Sequence, residues 1–148
     1  MAEEDAYGDL MTPEQLQRMR EERESAKVRE LMQKHRHDEE VEQEQHLAFL
    51  ERKVDAAAIA WVKKRLRQAA ENGAGELRVL SFPAAWCSDH GRAINNLDPD
   101  WPNSLTGYAQ EIYKSFLEHF EQLGYRMRAQ VLSYTEDGLG EIGLFLSW

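Results

Sequence analysis

The chain has 148 residues and a mass of 17.2 kDa, the size of one ordinary domain or of a small domain with an extension. Eighteen Lys and Arg against 27 Asp and Glu give a net charge of -9, which argues against an affinity built on neutralising phosphates, and 42% hydrophobic residues argue against global disorder. The single cysteine, Cys87, excludes an intramolecular disulfide and a thiolate zinc cluster within one chain.

Residues 1–11 carry Glu3, Glu4, Asp5 and Asp9 without one basic side chain, and read as a flexible acidic start rather than a signal peptide. No run approaches the roughly 18 to 20 apolar residues that cross a bilayer, so a cytoplasmic protein with no membrane partner is expected. From residue 12 the texture is helical. There is no glycine between Asp9 and Gly73, and the only proline in that stretch is Pro13. Thr12 can cap a helix, Pro13 suits its first position, and Gln15 completes a capping box. Asn72 and Gly73 supply the stop. Unbroken, such a helix would run about 59 residues or roughly 88 Å, more than the rest of the chain can cover. It must pair with a second chain, fold back at a break, or stand partly in solvent.

The polar stretch 34–45 is the expected place for a bend. From Leu47 onward, Leu50, Val54, Ala57 or Ala58, and Trp61 recur at helical spacing, with Phe49, Ile59, Val62 and Leu66 widening the stripe. Residues 12–72 are therefore read as a helical dimerisation or packing region.

Residues 73–148 hold most of the glycines and three of the four prolines, and read as a compact βααββ domain. Residues 76–82 alternate, which places Leu77 and Val79 on one strand face and Leu80 and Phe82 on the other. Pro83 can begin a helix with Trp86, Cys87, His90, Ile94 and Leu97 inward. A loop over 98–102 leads to a second helix, capped by Ser104 or Thr106, that buries Leu105, Tyr108, Ala109, Ile112, Phe116, Phe120 and Leu123. Residues 125–134 and 141–148 form a hairpin around Asp137 and Gly138. The helical crossover predicts that strand 76–82 pairs parallel to 126–134. The fold class is thus α+β, a long helical region followed by a three-stranded mixed sheet. Its second face, carrying Leu80, Phe82, Leu132, Tyr134 and Phe145, would need a cover.

Several clusters could carry chemistry. Cys87, Asp89, His90 and Arg92 are the densest set of reactive groups; on one helical face Cys87 and His90 could meet as thiol and base, although a buried structural Cys is the more economical reading. His35, His37, Asp38, Glu39, Glu42 and His46 invite a metal check, but no standard ligand spacing appears, and no metal or cofactor is expected. Lys63, Lys64, Arg65 and Arg67 form the one basic cluster, which Arg78, Arg126 and Arg128 could widen; the acidic balance counts against nucleic acid there. Leu47, Leu50, Val54, Ala58, Trp61, Trp101 and Trp148 are the candidate interface residues. The leading expectation is a non-enzymatic homodimer acting as an adaptor or regulator through protein association. A small-molecule site after the first strand and nucleic-acid binding are the alternatives.

Overall fold

The computed structural model describes residues 6–148, so Glu3, Glu4 and Asp5 of the acidic start lie outside the described residues. Two units make up the chain, the first ending at Glu44 and the second spanning Gln45–Trp148. Helix α1, Pro13–Glu51, opens with the reciprocal capping box: the Gln15 amide donates to Thr12 Oγ1 at 3.2 Å and the Thr12 amide to Gln15 Oε1 at 2.9 Å. No shift between helices falls in 34–45, where a bend or such a shift is expected. Those residues are good helix formers with no competing cap, and α1 runs through them unbroken.

The break falls instead at residues 52–55. Asp55 leaves the helical region, with φ -111° and ψ 176°, and its side chain accepts the Ala58 amide at 2.8 Å. This cap starts α2, Ala56–Glu71, whose Schellman stop at Asn72 and Gly73 is as expected: the Gly73 amide donates to the Ala70 carbonyl and the Ala74 amide to that of Ala69.

In the compact unit, β1 is Glu76–Pro83, β2 Arg126–Val131, β3 Tyr134–Thr135, β4 Gly138–Leu139 and β5 Glu141–Ser147. The α+β class is as expected, but the sheet is antiparallel, in the order β1-β5-β2. β1 and β2 do point the same way; β5 lies between them, so the direct parallel pairing does not form. The physical reason is burial. β5 is the most apolar strand, with Ile142 and Leu144 wholly inaccessible, and the central position shields it from both sides. β3 and β4 form the tip of the β2–β5 hairpin.

A bulge between Arg78 and Leu80 corrects the expected facing of β1. Strict alternation would separate Leu77 from Leu80 and Phe82. The extra residue, Val79, restores all three to one face, opposite Leu146, Leu144 and Ile142 respectively. The sheet therefore has one apolar face, not two. Its other face is polar around Phe145, whose ring lies over Gly143, where a Cβ would sit 2.9 Å from it. The Arg128 guanidinium covers that ring at 4.2 Å and is held by both carboxylate oxygens of Glu76, at 2.8 and 2.9 Å. That face needs no further apolar cover.

Part of the inner face is covered by α4, Gly107–His119, through Tyr108 and Ala109, with Phe49, Ile94 and Leu105 completing the core. The predicted helix after Pro83 is not formed as one piece. A 3₁₀ turn, Ala84–Trp86, is followed by a turn and a single-turn helix α3, Arg92–Asn95. Leu97, expected inside, is 84% exposed, and Leu123 is exposed beyond the end of α4.

Candidate functional site

The segment 87–92 is a turn that builds backbone rather than a reaction centre. The Asp89 carboxylate accepts the amides of Gly91 at 2.9 Å and Ala93 at 2.8 Å, so both oxygens serve the start of α3. His90 has φ +58° and is exposed, as is Arg92. Cys87 is buried, and Cys87 and His90 share no helical face because the intervening residues leave the helix. Burial pushes the thiol up to about 11; the Asp89 charge acts in the same direction and the Ser104 hydroxyl weakly against it. A thiol so held stays protonated at neutral pH and is a poor nucleophile.

The other candidates are dispersed. His35 pairs with Glu39 at 3.0 Å, while His46 lies stacked on Trp86 with ring centres 4.9 Å apart. Among the described residues no three His, Cys, Asp or Glu side chains gather as a metal site requires. The basic cluster splits around α2. Lys63 and Arg67 border a hollow shared with Tyr125 and Trp148, whereas Arg65 borders one shared with Trp61, Arg78 and Phe145. Arg65 also lies over the Trp61 ring at 5.9 Å. Of the candidate interface residues, Trp101 packs edge-on against Tyr113 and Val54 and Ala58 are half-buried, while Leu47, Leu50, Trp61 and Trp148 remain exposed.

One concavity was not singled out from the sequence. It is a groove of about 460 Å³ between α2, α4 and the inner sheet face. One wall is the apolar stripe of α4, Tyr108, Ile112, Phe116 and Phe120, at intervals of four. The opposite wall is Val54, in the break before α2, with Ala58 and Val62 of α2, and the floor includes Leu80, Met127 and Leu146. No residue of α2 is fully buried although its apolar side faces the sheet. The stripe was legible in the sequence as buried positions; the space in front of it was not, because it depends on how closely α2 approaches.

Polar groups are few in this groove. Arg52, Asp55 and Ser115 line it, and the Arg52 guanidinium sits over the Tyr108 ring, 4.0 Å from its centre. Arg52 has no carboxylate within ion-pair distance among the described residues. The adjacent Lys53 is engaged: its Nζ donates to Glu111 at 2.9 Å, and this hydrogen bond holds the Glu111 carboxyl below its usual range. Tyr108 is 5% exposed, yet its hydroxyl makes no hydrogen bond to another described residue and is not sealed from solvent. Among the described residues no helix is long and apolar enough to cross a membrane.

No protein-family model matches the chain, and comparison with curated proteins and with solved structures likewise returns no match.

Proposed function

We propose that this protein is a non-enzymatic association module that pairs with a second copy through α1 and α2 and serves as an adaptor or regulator in the cytoplasm. One observation carries the reading. Across residues 13–45 every side chain is exposed except the half-buried Ala26, and the exposed set includes Leu16, Met19, Val28, Leu31 and Met32. Helices in proteins are held chiefly by packing an apolar face. Internal side-chain support over this stretch comes from Arg20 with Glu24 at 3.2 Å and the His35–Glu39 contact at 3.0 Å, pairs of a kind that contribute about 0.2–0.5 kcal/mol. Burying one Leu, Val or Met contributes about 1.5–3 kcal/mol, which here is available only from a partner. A second copy presents the same residues, so a two-fold pairing matches like with like.

The bulged sheet has one apolar face, which the subunit covers in part, and the pairing does not draw on it. The reading therefore rests on the helices alone. Light scattering across the micromolar range tests it: a dimer mass is expected, with a monomer mass for the Val28→Glu, Leu31→Glu double variant. A monomer mass for the unaltered chain throughout that range overturns it.

A further inference from the structure

We propose that the groove between α2, α4 and the inner sheet face binds an amphipathic small molecule with an extended aliphatic body and an anionic head, in the manner of a medium-chain carboxylate.

Three observations lead there. First, the shape is elongated. The α4 wall runs from Tyr108 to Phe120, twelve residue steps or about 18 Å of helix, so the groove suits a chain better than a ring system. Its volume of about 460 Å³ falls within the usual range for small-molecule sites. Second, the lining is apolar along most of that length. An apolar hollow has no polar groups to hold water, and its walls forgo dispersion contacts until apolar atoms fill it. Third, the charged groups, Arg52 and Asp55, come from the one short segment before α2, and Ser115 is the neutral polar side chain farther along the α4 wall. Arg52 and Tyr108 meet where α4 begins; among the described residues the former has no acidic partner within ion-pair distance and the latter's hydroxyl makes no hydrogen bond.

A guanidinium and a phenol together offer donors to a carboxylate, and charge-assisted bonds to Arg are among the stronger ones. Asp55 is the other charged group on the wall. It opposes an anion, but its Oδ1 is committed to the Ala58 amide at 2.8 Å. The remaining length, past Ile112 and Phe116, is lined by apolar side chains apart from Ser115 and the Trp61 indole. A ligand anchored at the Arg52 end would bring α2 and α4 into contact through its own chain, completing a core that the protein leaves open.

The test is calorimetric titration of the full chain with decanoate, decanol and decyltrimethylammonium, which share a tail and differ in head charge. Saturable decanoate binding, with decanol weaker and the cation weakest, is expected. Arg52→Gln should weaken decanoate about tenfold while leaving decanol unchanged. Ala58→Phe, which places a ring in the groove, should abolish both, with circular dichroism confirming that each variant is folded. No saturable binding by the unaltered chain overturns the proposal, as does equal affinity for the three heads. Since those two readouts use the unaltered protein, a variant that fails to fold leaves the decision intact.

Discussion

Replacing Gly107 with Ala probes how the end of α1, residues 45–51, packs within the second unit. Gly107 is the first residue of α4 and has φ +53°, a region that L-residues adopt at a cost of roughly 1–2 kcal/mol. An added Cβ would lie 2.7 Å from the Phe49 carbonyl oxygen and 2.8 Å from Leu50 Cα. Both are backbone atoms, so the clash is relieved only by moving the helix, and overpacking of this kind costs about 1–3 kcal/mol. Lower unfolded-state entropy returns about 0.4–1 kcal/mol. The expected loss is therefore about 2–4 kcal/mol. Phe49 is the one buried residue of α1; it packs on Phe82 and Trp86 with ring centres 5.6 and 4.7 Å apart. Phe49→Ala should cost about 3–5 kcal/mol. Because both changes undo one docking, the double variant should fall short of the sum by about 1 kcal/mol or more. Urea unfolding followed by tryptophan fluorescence measures all three, with Trp86 inside the contact. A Gly107→Ala protein within about 0.5 kcal/mol of the parent, or strict additivity, would refute the argument.

Two further outcomes follow from local chemistry. The folded Cys87 thiol, raised from 9.0 to about 11, keeps its proton when the unfolded chain has lost it; stability is thus intact below pH 9 and declines as pH rises toward 11, by about 2–3 kcal/mol in all. Native protein should accordingly resist a disulfide reagent at pH 7–8 and react promptly in denaturant, and rapid native labelling would contradict the burial. Asp55→Ala removes the cap of α2 and should lower stability by about 0.5–2 kcal/mol, with Asp55→Asn largely restoring it; equal stability of all three proteins would show that the break at residues 52–55 is set by something else.

Much of the fold was legible because its determinants are local. The capping box at Thr12, the stop at Asn72 and Gly73, the four-residue stripe of α4 and the Asp137–Gly138 hairpin each depend on neighbours within a few positions. The Asp55 cap is equally local, but it interrupts an apolar stripe that keeps helical spacing from Leu50 to Trp61, so the periodicity masks it. The turn over 87–91 was misjudged as helix because Trp86, Cys87, His90 and Ile94 mimic helical spacing while Gly91, at φ +87°, ends any such run. Its neighbourhood leaves no room for more than hydrogen: a Cβ there would lie 2.9 Å from Ile142 Cδ1.

The sequence by itself determined the α+β class, the helical character before Gly73 and the burial of the last strand, since hydrophobic period and capping act over one or two turns of chain. Tertiary structure decided which strand sits in the middle, that Val79 bulges, and that α2 stands off the sheet far enough to leave a groove near Arg52 and Tyr108. Those outcomes turn on side chains distant in sequence competing for the same shielded volume, and a linear pattern does not record who wins that competition.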